Sequence, residues 1–143
     1  MMFRAGDSET KSYLFDAERI VAFADAAGDD NPLHRDGPLA EGSRFGGVIA
    51  SGAHMSAVLL GFCASGVARH APAVVLEFNV RFKRAIPAGA AATLVWTVTS
   101  AEPHDKLGGT MIGFDADITG VPDIKYVTAT GKAVVWDSGA KSG

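Results

Sequence analysis

The 143 residues, 48% of them hydrophobic, suffice for one domain with a substantial core. A net charge of -3 argues against a partner held by bulk electrostatics, so no nucleic-acid partner is expected and a small neutral or acidic ligand fits better. Apolar runs stop short of the ~18 residues a membrane span needs, the N-terminal MMFRAGDSETK lacks a secretory apolar stretch, and the lone Cys63 cannot close an internal disulfide; together these predict a cytoplasmic protein with no membrane partner.

An early strand is expected around SYLF, at 12–15. Over 16–27, Ile20, Val21, Phe23, Ala24 and Ala27 recur at helical spacing, Asp16 is placed to cap the start, and Gly28 suits the left-handed residue that ends a helix. Residues 29–50 show little periodicity and many glycines, which predicts a long irregular segment with one short turn near 38–40; such loops often carry function. In the stretch 51–67, Met55, Val58, Leu59 and Phe62 fall at i, i+3, i+4 and i+7, and the other faces are mostly small or apolar. This reads as a buried helix, and no acidic residue occurs between Gly42 and Leu76.

The period then changes to two. Leu76, Phe78, Val80 and Phe82 alternate with Glu77, Asn79, Arg81 and Lys83, the pattern of a strand with one buried face. Leu94, Trp96 and Val98 repeat it, as do Ile112, Phe114, Ala116 and Ile118, then Val127, Ala129, Ala133 and Val135. Turn signals at 86–89, 102–109 and 119–123 separate these runs and predict an antiparallel meander of about four strands. One sheet and one apolar helix fit together if the sheet curls around the helix. The expected fold is therefore α+β, a hot-dog fold in which a curved antiparallel sheet wraps a central buried helix. It would span 1–143 as a single domain with a frayed tail over 137–143. Its edge strands need covering, which predicts a homodimer or higher homo-oligomer.

The densest chemistry lies in GDDNPLHRD, at 28–36. Asp29 and His34 stand five positions apart, and Pro32 between them stiffens the chain and disfavours a helical Asn31. A carboxylate and an imidazole facing one cleft form a general base and acid, with Asn31 placed to orient either one. The competing reading is that Asp29 and Asp30 cap the end of an element while His34 packs in a loop. Downstream, Gly52 begins the buried helix, where free N–H groups and the helix dipole favour negative charge and glycine allows close approach of a ligand oxygen. An acid, a base and an oxyanion site thus fall within one short span.

With those residues in view, AFADAAGDDNPLHRDGPLA followed by FGGVIASGAHM resembles the MaoC-like (R)-specific enoyl-CoA hydratase/dehydratase family. That family's motif runs G-D-x-N-P-[LIV]-H with an alanine six residues on, matched here by Gly28, Asp29, Asn31, Pro32, Leu33, His34 and Ala40. The resemblance covers 22–55 and implies catalysis by Asp29 and His34, with the Gly52 N–H polarising a thioester carbonyl. It further implies reversible addition of water to a trans-2-enoyl thioester to give an (R)-3-hydroxyacyl thioester. Coenzyme A would enter only as part of the acyl thioester substrate, and neither cofactor nor metal is called for. Asp30 falls at the variable position. Two departures stand out: Ser51 occupies a position that is often histidine, and Leu60 aligns with a polar residue that assists thioester binding in some hydratases.

Phe45, Gly46, Gly47, Ser51 and His54 are further candidates for substrate contact, set against a plain turn for the glycines and core packing for His54. Arg81, Lys83 and Arg84 are candidates for coenzyme A phosphates, although basic residues on a strand's polar face are commonly just solvated. His70 and His104 read as surface loop residues and Cys63 as core. Two other functions compete. A hot-dog thioesterase would want a carboxylate on or near the central helix, which this helix lacks, and a non-catalytic acyl-thioester binder would have no use for the Asp29, Asn31, His34 and Gly52 set.

Overall fold

Alternating apolar residues build five strands in a computed structural model that describes residues 3–69 and 71–136. They are β1 (Ser8–Phe15), β2 (Ala73–Phe82), β3 (Ala90–Pro103), β4 (Thr110–Gly120) and β5 (Ile124–Val135). All pair antiparallel in one sheet of order β1-β3-β4-β5-β2. Helix α1 (Ala17–Ala27), a short α2 (Pro38–Glu41) and the long α3 (Gly52–Ala68) complete the α+β arrangement. The expected loop position of His70 and the expected frayed tail at 137–143 fall outside the described residues.

The core forms where the sheet's apolar face meets α3. Leu94, Trp96 and Val98 of β3, Ile112, Phe114, Ala116 and Ile118 of β4, and Val127, Ala129, Ala133 and Val135 of β5 are all buried, as their alternation predicts. Met55, Leu59, Cys63 and Val67 of α3 pack into the same cluster. Burial pushes the Cys63 thiol up to about 12, so it serves as a small apolar group rather than a nucleophile. Trp96 ties three elements together: its ring meets Phe114 edge-on at 6.2 Å, and its Nε1 donates to Glu9 Oε1 on β1 at 2.9 Å. The other oxygen of Glu9 accepts from Arg69, just past the end of α3.

Three expectations are corrected. The meander has three strands, β3-β4-β5, because β2 pairs with β5 at the far edge instead of forming a hairpin with β3. The intervening segment is a pinned crossover: the N–H groups of Lys83 and Arg84 both bond Tyr126 O, Ile86 is fully buried with its carbonyl bonded to Ala50 N, and Gly89 N reaches Phe15 O. The apolar face of β2 is also not closed. A bulge between Val75 and Glu77 leaves Leu76 without a partner in the register and switches the core-facing set from Ala73 and Val75 to Phe78 and Val80, while Leu76 and Phe82 are 46% and 52% exposed. Finally, α3 is buried on only part of its circumference. Ala53, Ala57, Gly61 and Ser65, spaced by four, form an exposed stripe of small residues.

Candidate active site

The motif loop is built from the end of α1 onward. Asp16 caps the helix start by accepting from Arg19 N, and Gly28 ends it in the left-handed conformation at φ 71°, which a side chain would resist. Asp29 N then returns to Ala24 O at 2.8 Å, so the loop leaves the helix in a defined direction. From there each polar side chain holds the next part of the backbone. Asp29 Oδ1 accepts from Asn31 N at 3.0 Å, and Asn31 Oδ1 accepts from Leu33 N at 3.1 Å. Asn31 is extended, as a residue before proline must be, and Pro32 opens a single 3-10 turn ending at His34.

This hydrogen bonding fixes how His34 is presented. Asn31 Oδ1 is committed to Leu33, so its Nδ2 faces His34 Nε2 at 3.3 Å. On the other side of the ring, His34 Nδ1 lies 2.7 Å from Ile49 O, a carbonyl that can only accept. The neutral imidazole therefore carries its proton on Nδ1 and a lone pair on Nε2. Asp29 Oδ2 is 3.9 Å from that Nε2, too far for a direct hydrogen bond and near enough for a substrate or water proton to pass between them. His34 is buried, whereas the Asp29 side chain is 32% exposed. The Asp30 side chain is 99% exposed, which fits a variable, solvated position.

Helix α3 supplies the opposing wall. Ser51 caps it, its Oγ accepting from His54 N at 3.0 Å, and Met55 N bonds Ser51 O. Among the described residues, the N–H groups of Gly52 and Ala53 take no protein partner, as expected of a first helical turn. A cleft of about 380 Å³ brings His34 and Gly52 together with Phe45, Ile49, Met55, Phe82, Lys83 and Arg84. A Cβ at Gly52 would stand 3.1 Å from the Phe82 ring, so the start of α3 and that ring lie close together across the cleft.

The remaining candidates separate. Phe45 lines the cleft, while Gly46 turns the chain beside it with φ 71° and its N–H on Ser43 O. Gly47 is half-buried just before the core segment and is not part of the cleft wall. Ser51 is buried, with its hydroxyl engaged as the helix cap. Lys83 and Arg84 lie on the cleft, but Arg81 belongs to a different groove on the sheet's outer face with Asp115, Asp117 and Lys125. His104 sits in the β3–β4 turn, where its Nδ1 accepts from Leu107 N. Leu60, the second departure from the family pattern, is half-buried on α3. No group of three His, Cys, Asp or Glu able to hold a metal ion occurs among the described residues, and no helix there is long and apolar enough to cross a membrane.

His54 is not placed for substrate contact. It points into the core, stacked on Phe23 at 4.7 Å, edge-on to Phe15, and bonded through Nε2 to Tyr13 OH at 3.1 Å. Its Nδ1 is buried without a partner. Burial, aided by Arg19 and opposed by Asp16, lowers its pKa from the ordinary value, so folding favours the neutral ring. The unfolded chain takes up a proton first as pH falls below about 6.5, so this stabilisation is complete above that pH and is lost as pH drops toward the folded value. Thermal melts from about pH 7 to 5 are expected to show a steeper loss of Tm for the wild type than for His54→Gln. Parallel curves would contradict this account.

Sequence reasoning missed several contributors. Ile49 offers a backbone carbonyl, which leaves no trace in side-chain chemistry, and Phe82 reaches the site only because of the crossover after β2. Arg35, adjacent to the motif, was also overlooked: its Nη2 donates to Asp29 O at 2.7 Å and its Nη1 pairs with Asp25 in the last turn of α1.

Residues 6–112 match the family model described as MaoC like domain. The comparison with curated proteins finds no match. Among solved structures, the fold is similar to the (R)-hydratase from A. caviae involved in PHA biosynthesis, at 22% identity and TM-score 0.80, covering 94% of this chain and 98% of that one. R-hydratase PhaJ1 from Pseudomonas aeruginosa superposes with TM-score 0.81 at 19% identity, over 95% of this chain and 84% of that one. The ChsH1-ChsH2 complex from Mycobacterium tuberculosis does so with TM-score 0.76 at 18% identity, over 94% and 99%. At these identities the likeness speaks to the fold, which is the hot-dog arrangement expected from the sequence.

Proposed function

Because the chain belongs to the MaoC-like dehydratase family, a family of hydratases and dehydratases, we propose that it adds water reversibly to trans-2-enoyl thioesters of coenzyme A, giving (R)-3-hydroxyacyl thioesters. The observation that carries this reading is His34, within 3.9 Å of the Asp29 carboxylate, sharing one cleft with the helix start at Gly52. The names of the hydratase structures with the same fold support it.

Water is too weak a nucleophile for the β-carbon of an enoyl thioester, so its proton must be drawn off as the C–O bond forms. Asp29 is assigned as that base. The π electrons then move onto the thioester oxygen, where the Gly52 and Ala53 N–H groups receive the developing enolate charge. Collapse of the enolate takes a proton from His34 Nε2 onto the α-carbon. His34 therefore enters the cycle as the imidazolium beside ionised Asp29; its Nε2–H and the Asn31 Nδ2 are then both donors, so the contact to Asn31 is given up and the Nε2–H is left for the substrate. After one turnover Asp29 holds the proton that His34 has lost, and relay from Oδ2 to Nε2 through a water or the product hydroxyl spanning the 3.9 Å between them restores the pair.

The test uses purified protein and a series of trans-2-enoyl-CoAs of varied length and branching. Loss of the enoyl absorbance with no free thiol released supports the hydratase. Release of thiol would replace this reading with a thioesterase, and calorimetric binding without turnover would replace it with an acyl-thioester binder.

The working unit proposed is a homodimer. Leu76 and Phe82 on the edge strand β2, which packs against α3 with its exposed small-residue stripe, form an apolar edge that a second copy would cover. Light scattering at micromolar concentration is expected to report twice the chain mass, and Leu76→Arg is expected to shift it toward monomer. A monomeric wild type would overturn the assignment.

A further inference from the structure

Arg35 is set among carboxylates in an unusual way. Its Nη1 is engaged by Asp25 and its Nη2 donates to the backbone carbonyl of Asp29 at 2.7 Å, with Asp30 Oδ1 3.8 Å away. It forms no ion pair with the Asp29 carboxylate, whose oxygens go to Asn31 N and toward His34. The guanidinium thus grips the peptide of the assigned base without neutralising it. Asp25 makes that possible: with its carboxylate hydrogen-bonded to one arm, the charge of Arg35 is largely answered from α1, and the planar fork spans two fixed partners.

We propose that Arg35 is a positioning residue, holding Asp29 toward His34 through its carbonyl while Asp25 keeps the guanidinium off the reacting carboxylate. This rests on the hydratase reading of the same site. Without Asp25, the guanidinium is free to turn to Asp30 and to Asp29 itself. An Asp29 paired with Arg35 is a weaker base, and its negative charge no longer supports a protonated His34. Without Arg35, the loop keeps its Asn31 and Asp29 side-chain bonds and the Asp29 N–H on Ala24 O, but loses the side-chain tie from Asp25 of α1 to the Asp29 carbonyl. The charged groups facing the pair are Asp25 and Asp30 with Arg35 on the motif side, and Lys83 and Arg84, which share the cleft with His34, on the crossover side. The crossover cations are untouched by these substitutions.

The experiment measures pH–rate profiles for hydration of trans-2-enoyl-CoA by the wild type, Arg35→Met, Arg35→Lys and Asp25→Asn, with NMR titration of the His34 ring in each. Displacement of a reacting group by about 1 Å costs on the order of 100-fold, so Arg35→Met is expected to lose about 10- to 100-fold in kcat with KM nearly unchanged. Arg35→Lys, which cannot reach both partners, should fall between it and the wild type. Asp25→Asn should move the acid limb of the profile, and the His34 titration, to lower pH. A loss confined to KM, an Arg35→Met kcat within about twofold of wild type, or an Asp25→Asn profile superimposed on the wild type's overturns the positioning role. If the wild type hydrates no member of the series, the hydratase reading fails. The clamp is then judged by the ring titration alone: a shift to lower pH in Asp25→Asn sustains it and an unmoved titration overturns it. Should Arg35→Met not fold, Asp25→Asn and Arg35→Lys decide by the same criteria.

Discussion

Substituting His34 by alanine is expected to lower enoyl-thioester hydration by ~10²–10⁴-fold, the range typical of losing a positioned acid or base. The same change made in an Asp29→Asn background should add little. In the proposed cycle Asp29 and His34 exchange one proton per turnover, so a pair missing either member is broken as a unit, and effects of such groups are strongly non-additive. The check is a double-mutant cycle on kcat/KM. Fully additive losses would mean that the two side chains act independently. Asn31→Ala should cost less than either, since Asn31 reaches Nε2 and the Leu33 backbone but holds no proton that the reaction consumes.

Trp96→Ala is expected to destabilise the fold by about 3–5 kcal/mol, the usual cost of emptying a large aromatic site in a core. Trp96 is 2% exposed and packed against Phe3 and Phe114, so little around it is free to collapse into the space. The substitution also strips Glu9 Oε1 of its donor at a partly buried position, loosening the tie from β1 toward Arg69 and α3. Trp96→Phe should recover much of the packing but not the hydrogen bond, and land between the two. Denaturant midpoints of the three proteins give the comparison, and a Trp96→Ala loss below about 1 kcal/mol would show that Trp96 is not the keystone of this core.

The local grammar of the chain was largely readable. Asp16 and Gly28 bracket α1 as capping chemistry requires, Ser51 starts α3, and the period of two in β3, β4 and β5 identified their buried faces. The neighbour relations were not readable. Alternation says which way a side chain points and not which strand lies beside it, so β2 was expected next to β3 although it pairs with β5. The bulge that exposes Leu76 arises from one unpaired residue and has no compositional mark. In α3, residues as small as Ala57 and Gly61 suit a core and an exposed helix face equally, which is why the helix was expected to be buried all round.

The site divides along the same line. Asp29, Asn31 and His34 are close in sequence and joined by hydrogen bonds that span at most three positions, so the proline-stiffened loop could be foreseen. His54 could not be assigned by its closeness to Gly52, because successive residues of a helix point in different directions: Gly52 faces the cleft and His54 faces Tyr13 and Phe23. Arg35 joins the end of α1 to the Asp29 carbonyl across a ten-residue separation, and that link exists only once Gly28 has turned the chain back.

The most direct measurement of the central claim is the rate at which the purified protein removes the enoyl absorbance of a trans-2-enoyl-CoA, recorded side by side with Asp29→Asn. Water addition by the Asp29 and His34 pair predicts rapid loss of absorbance with the wild type and a rate at least ~100-fold lower with the variant. Equal rates for the two proteins would contradict it.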